Sequence, residues 1–286
     1  MSTPPASDAV TRHYRQGDLR RKIDEALGRL YPDQNLLTTD HLRAVDEFHI
    51  GGHAATRQIA EHLELQPGLR VLDVGSGLGG PARHLAQQAD VDVTGVDLTA
   101  EYVAVARWLT DRVGLSDRAH FLQGDVSALP FPGASFDRAW MLHVGMNVKD
   151  KSRLFTEIGR VLTDDGLFIV YDVMLTGDPS LVSYPVPWAS EPGHSFLARA
   201  EEYRSLLRGA GFEIVAEHDR RGQGVQSLRD LSGADAHHPD RAPAPGGLPA
   251  SVNVAMGSDG PIKIANVVQN MEQGLLAPTE MVCRLR

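Results

Sequence analysis

The sequence is poor in cysteine, in positive charge and in long apolar runs. Cys283 is the single cysteine among 286 residues, so neither an intrachain disulfide nor a cysteine-rich metal centre can form. Lys and Arg number 28 against 37 Asp and Glu, a net charge of −9, which lacks the basic footprint of a nucleic-acid partner. No apolar run approaches the roughly 20 residues of a membrane span. The amino end, MSTPPASDAV, has no apolar signal core. These absences lead to the expectation of a soluble cytoplasmic protein, monomeric or homodimeric, with neither nucleic acid nor membrane as partner. Apolar residues are plentiful at 42%, enough to bury a core, and the length fits one large domain or a domain with an added cap.

Residues 1–10 read as disordered, and a helical pattern runs from Thr11 to about Leu65. Leu19, Ile23, Leu27 and Leu30 recur every three or four positions, which places them on one helix face until Tyr31-Pro32-Asp33 breaks it. Six strands then alternate with helices: LRVLDVG, VDVTGVDL, AHFLQGDV, FDRAWMLHV, LFIVYDVML and FEIVAEHD. Tyr102, Val105, Ala106 and Leu109 share a face of the helix after the second strand. Thr163-Asp164-Asp165-Gly166 ends the helix before the fifth. Such alternation predicts an open α/β sheet with parallel strands. Residues 176–195 are too Pro-rich for a regular element and leave the carboxyl end of the fifth strand, where open sheets bind ligands. They read as a lid or substrate loop. Residues 221–261, Gly/Pro-rich, read as a second mobile segment, followed by a helix around IANVVQNMEQGLL and an alternating end, PTEMVCRLR.

The chemistry begins at VLDVGSGLGGPARHLA. Gly75, Gly77 and Gly80 make a G-x-G-x-x-G between a strand and a helix, which suits a phosphate or a carboxylate and is weak alone. Ser76 lies inside that loop. Asp97, 22 positions after Gly75, can accept from ribose hydroxyls, a group shared by NAD and adenosyl ligands. Asp73 discriminates between them. A carboxylate two residues before the loop would repel a pyrophosphate, whereas the α-ammonium of S-adenosylmethionine needs an acceptor. Asp125, after the third strand, can accept from an adenine amino group. An NAD-linked oxidoreductase is the alternative from another class, and Asp73 and Asp125 speak against it.

Together VLDVGSGLGGPARHLA, VTGVDLT, GDVSALPFPGASFDRAW and IGRVLTDDGLFIVYD resemble class I S-adenosylmethionine-dependent methyltransferases, over roughly Gly51 to His218. The resemblance implies a Rossmann-like, doubly wound, seven-stranded, mostly parallel sheet. It also implies an N-terminal helical cap, a final antiparallel strand at EMVCRLR, and Leu98 and Val126 flanking the adenine. The expected organisation is a cap over 1–65, a cofactor-binding core over 66–220 and a substrate-side segment with the last strand over 221–286.

His143, in AWMLHVGMN, ends the fourth strand at the ligand edge and can serve as a base or hold a ligand. The stretch from FHIGGHAATRQ to the Gly loop resembles small-molecule methyltransferases of the phosphoethanolamine and tocopherol type. That resemblance implies a latch between Tyr31 and His143, and places His49, Ile50, Gly51 and Gly52 over the methionine part of the cofactor. Ala139 replaces an acid of that family four residues before the histidine, which speaks against phosphoethanolamine itself. The expected reaction is methyl transfer to a small molecule. An amine nitrogen is favoured, and an oxygen or carbon of a phenolic or quinone-like metabolite is the alternative. Asn147, Tyr184 and Trp188 are candidates for the acceptor pocket, where aromatic rings could surround a methylammonium. His237-His238 lacks a supporting ligand set, so no metal is expected. One cysteine is too few for an arsenite methyltransferase.

Overall fold

Each apolar strand is followed by an amphipathic segment that returns along one face of a sheet. A computed structural model describes residues 17–231 and 259–286. The expectations for residues 1–10, for His237-His238 and for most of 221–261 lie outside the described residues. The strands are β1 (Arg70–Val74), β2 (Asp92–Asp97), β3 (Ala119–Gln123), β4 (Phe136–Leu142), β5 (Leu162–Leu175), β6 (Phe212–Asp219) and β7 (Leu276–Leu285). They form one sheet in the order β3-β2-β1-β4-β5-β7-β6. β1 to β5 pair in parallel, and β7 runs antiparallel to both β5 and β6. The sheet is the expected Rossmann-like, mostly parallel one with seven strands.

Burial follows strand position. Every residue from Gly166 to Leu175 of β5 is buried, as a strand covered on both faces requires, whereas the edge strand β6 alternates from Phe212 onward. Helices α6 (Lys151–Val161) and α7 (Ala200–Gly209) cover one face through Leu154, Phe155, Ile158 and Leu207. Helices α3 (Gly52–Glu61), α4 (Gly80–Gln88) and α5 (Ala100–Arg112) cover the other through Ile59, Leu85 and Ala106. Tyr102, Val105, Ala106 and Leu109 are all buried, as their spacing predicts. α6 ends at Val161 and β5 starts at Leu162, so the Thr163–Gly166 stop belongs to the strand.

The expected cap opens with α1 (Leu19–Leu30), a 3-10 turn at Gln34–Leu36 and α2 (Thr39–Asp46) and runs through the 47–52 turn into α3, which lies on the sheet. Leu19, Ile23 and Leu27 pack with Leu42, Val45 and Leu109, each burial contributing about 1.5–3 kcal/mol. Leu30, expected on the same face, is 41% exposed because the helix ends there and its last turn clears the core.

The carboxyl-terminal side differs from expectation in one respect. Residues 221–231, read as part of a mobile segment, form helix α8 (Arg221–Leu231), whose Leu228 is buried. α8 and α9 (Gly260–Glu272) build a small core with residues 176–195 over the carboxyl end of β5. That loop has two 3-10 turns, Pro179–Leu181 and Pro192–His194. Asn270 of α9 fastens it by exchanging hydrogen bonds with the backbone of Ser183 at 2.9 and 3.0 Å. Among the described residues no helix is long and apolar enough to cross a membrane.

Candidate active site

The Gly loop turns sharply after β1. Gly75 has φ +72°, and a Cβ there would lie 2.4 Å from Val144 Cγ2, so only glycine fits between the loop and the end of β4. Gly77, at φ +53°, differs because a Cβ would meet nothing within 4 Å, so its Cα faces open space at the sheet edge. The loop's amide groups are largely spoken for. Gly75 and Ser76 N–H donate to the Val96 carbonyl at 2.8 and 3.1 Å, and Gly79 N–H donates to Ser76 O at 2.9 Å. Gly77 N–H donates to Asp97 Oδ2 at 2.9 Å. The sequence offers this loop as an anion cradle, yet these N–H groups point into the fold and do not form a nest for a pyrophosphate.

Three carboxylates sit along this edge on adjacent strands. Asp73 of β1 is only 2% exposed, and its Oδ2 has no hydrogen-bond partner. Burial pushes its pKa up to about 7; Trp140 opposes this, while the charges of Asp97 and Glu47 add to it. Asp97, the last residue of β2, accepts from Gly77 N–H and, through Oδ1, from Thr99 N–H at 2.8 Å. Burial nevertheless raises its pKa, against the pull of those two amides. Asp125 lies exposed two residues beyond β3 and caps its own turn by accepting from Ser127 N–H at 2.8 Å. Val126 is buried, and half-buried Leu98 uses its carbonyl to accept from Gln123 Nε2. Ser76 Oγ is buried without a partner. A cation beside Asp73 and hydroxyls beside Asp97 would satisfy acceptors that the chain leaves incompletely used.

His143 stands just past the end of β4. Its φ of +56° is rare for a residue with a side chain, and its N–H donates to Tyr171 O at 2.7 Å. Both ring nitrogens are shielded from solvent and without a partner. Burial, then the neighbouring His49, hold its pKa well below the usual 6.5, so the ring is neutral near pH 7. The rings nearest to it are those of Tyr171, with centroids 4.8 Å apart, and His49, at 6.1 Å. The following turn is clamped from beneath. Asp172 accepts from Tyr203 OH at 2.7 Å, and a Cβ on Gly145 would collide with both groups.

His49 is turned toward the cap. Its Nε2 pairs with Gly52 O at 3.0 Å and Thr56 Oγ1 at 3.1 Å, while Glu47 Oε2 lies 3.7 Å from Nδ1. Burial pushes the Glu47 carboxyl up, but His53, His49 and Thr56 outweigh it and hold it low. Gly51 and Gly52, at φ +88° and +47°, make the turn that begins α3. Ile50 joins Met146, Trp188 and Val186 in one apolar cluster.

The other expected residues divide. Trp188 is 4% exposed and donates from Nε1 to Ser195 Oγ at 2.9 Å, so its ring packs the 176–195 loop against the body. Tyr184 is half-buried at the edge of the same cluster, and Asn147 closes the 3-10 turn after His143 by donating to Val144 O at 2.9 Å. Tyr31 lies against His41, ring centroids 4.3 Å apart, beside the α1–α5 cluster; the rings that meet His143 belong to Tyr171 and His49. Tyr171 and Glu47 escape sequence reading because each sits in a stretch that looks purely structural. The one available signal for Tyr171 is a lone tyrosine in the second half of an apolar strand that ends at the ligand edge.

Comparison with known proteins finds similarity to methyltransferases. Residues 72–170 match the family described as methyltransferase domain. The chain is 31% identical over 166 residues to the sterol 24-C-methyltransferase ERG6B of Gibberella zeae, covering 56% of this chain and 44% of that protein. It is 30% identical over 179 residues to phosphoethanolamine N-methyltransferase 3 of Arabidopsis thaliana, covering 63% of this chain and 36% of that protein. The matched stretch thus spans less than half of either relative. Among solved structures, the geranyl diphosphate C-methyltransferase of Streptomyces coelicolor superposes with TM-score 0.70 at 14% identity, over 100% of both chains. Residues 72–170 thus match a methyltransferase domain, in a chain similar in sequence to a sterol C-methyltransferase and a phosphoethanolamine N-methyltransferase and similar in fold to a geranyl diphosphate C-methyltransferase.

Proposed function

We propose that the protein transfers a methyl group from S-adenosylmethionine to a small-molecule acceptor. The observation that carries this reading is Asp73, a buried carboxylate with an unpartnered oxygen beside a Gly loop whose N–H groups at Gly75, Ser76, Gly77 and Gly79 are already used. That combination suits an ammonium and opposes both a pyrophosphate and an NAD-linked reaction.

In this reading Asp73 holds the ammonium, Asp97 the ribose hydroxyls and Asp125 the adenine amino group, with Leu98 and Val126 against the adenine faces. Ser76, His49 and Ile50 lie about the methionine portion. Bound there, the cofactor supplies an electrophilic methyl on its sulfonium. The chain's task is then to align the acceptor with that bond, exclude water and manage the acceptor's proton. His143 carries the last task as base or orienter, since its ring nitrogens are unpartnered and its neutral form prevails near pH 7. Tyr31, from the cap that closes over the site, is the second candidate for that task. Asn147, Tyr184 and Trp188 bound the acceptor side. The same reading divides the chain into a cap over 1–65, a core over 66–220 and a substrate-side segment over 221–286, acting in the cytoplasm as a monomer or homodimer.

An amine nitrogen is the first acceptor class, supported by the resemblance of the cap and by the relative named a phosphoethanolamine N-methyltransferase. A carbon or oxygen acceptor is the second, favoured by the apolar cluster of Ile50, Met146 and Trp188 and by the relative named a sterol C-methyltransferase.

Incubation with methyl-labelled S-adenosylmethionine and a panel of amines, phenols and apolar alkenes tests the reading by mass spectrometry. Wild type should label at least one class, with kcat flat through pH 6.5 because His143 titrates well below it. His143→Ala should lower turnover about 100-fold or more and leave S-adenosylhomocysteine affinity nearly unchanged. Tight cofactor binding with no product from any class would overturn the enzymatic reading. Full turnover in His143→Ala would remove that residue from the mechanism.

A further inference from the structure

Tyr171 makes three contacts in three directions. Its main-chain carbonyl accepts the His143 N–H at 2.7 Å. Its ring meets the His143 imidazole edge-on at 4.8 Å. Its hydroxyl, buried within the protein, donates to the Ile50 carbonyl at 3.0 Å. Ile50 immediately precedes Gly51 and Gly52, whose left-handed conformations form the turn into α3, and His49 pins that turn through Gly52 O. A residue on a central strand therefore touches both the strained residue at the end of β4 and the cap turn. Core packing alone does not call for this hydroxyl. A phenylalanine would fill the same apolar space, whereas a buried hydroxyl requires a partner and here selects a backbone carbonyl in the cap.

We propose that Tyr171 is a positioning residue that couples closure of the 49–52 turn to the orientation of His143. Movement of the turn away from the sheet removes the acceptor of the Tyr171 hydroxyl and frees the ring that backs the imidazole. Seating of the turn fixes both. The inference rests on the reading of His143 and the turn as parts of the cofactor and acceptor site.

The test compares wild type, Tyr171→Phe and Tyr171→Leu by three measurements. These are hydrogen exchange of the amides at 49–53, calorimetric titration with S-adenosylhomocysteine, and NMR titration of histidine-labelled protein. In Tyr171→Phe the 49–53 amides should exchange faster even without ligand. Its affinity should fall several-fold to about tenfold, the range expected for one lost hydrogen bond, and His143 should titrate as in wild type. In Tyr171→Leu, water reaching the ring should raise the His143 titration toward its ordinary range. If Tyr171→Phe leaves both exchange and affinity unchanged, the coupling is rejected. If wild type fails to bind S-adenosylhomocysteine, the functional reading fails separately, and the exchange comparison still decides the coupling. Loss of folding in Tyr171→Leu leaves the decision with Tyr171→Phe, which keeps the ring.

Discussion

Asp73 illustrates what a single buried carboxylate does to both stability and binding. Its pKa lies at about 7 in the folded protein against roughly 3.9 in an unfolded chain. Between those values the folded state holds the extra proton, so this residue's contribution to stability falls as pH rises from about 4 to 7. Asp73→Asn should therefore be more stable than wild type at pH 8, by about 1–3 kcal/mol, with the gap closing toward pH 4. Denaturant unfolding at several pH values measures it. The same substitution should weaken S-adenosylhomocysteine binding, because a neutral amide cannot balance an ammonium. Wild-type affinity should fall as pH drops below 7, and that of Asp73→Asn should stay flat. A variant both less stable and less able to bind would mean that Asp73 is structural.

At the scale of elements, one buried ion pair holds the cap to the Gly loop. Arg83 of α4, 1% exposed, donates to Asp46 of α2 at 2.6 Å and to the Leu78 carbonyl at 2.7 Å. It also donates to Thr110 of α5 at 2.9 Å. Gly80 is small because a Cβ there would press on Asp46. Arg83→Met removes one charge and strands the other, so it should cost about 3–5 kcal/mol in denaturant unfolding. The double variant Arg83→Met with Asp46→Leu should recover much of that loss. Equal instability of the single and double variants would show that packing, and not charge, fixes α2. This junction was not legible in the sequence. Periodicity identifies the buried faces of α1 and α5, but no spacing in the sequence ties Asp46 to Arg83. Pairing across 37 positions leaves no local pattern. Helix α8 was missed for a related reason. Its two glycines, Gly222 and Gly224, look like loop residues, and its apolar face becomes visible only against Ile50 and Pro278.

At the scale of the whole molecule, strand alternation and the turn glycines specify the sheet, and three acids at or just past the carboxyl ends of three successive strands specify one edge of it. Those features are local, so they survive in a single sequence. The acceptor side proposed above draws on distant segments: the end of β4, Tyr171, the 49–52 turn, the 176–195 loop and α9. That assembly explains why His143 could be named from sequence while Tyr171, its neighbour in space, could not. Calorimetric titration of wild type and Asp97→Ala with S-adenosylhomocysteine decides whether Asp73, Asp97 and Asp125 line a site for S-adenosylmethionine. Wild type should bind one molecule per chain, with an affinity at least about tenfold weaker in Asp97→Ala, since two charge-assisted hydrogen bonds to the ribose are lost. No binding to the wild type, or binding undiminished in Asp97→Ala, would contradict it.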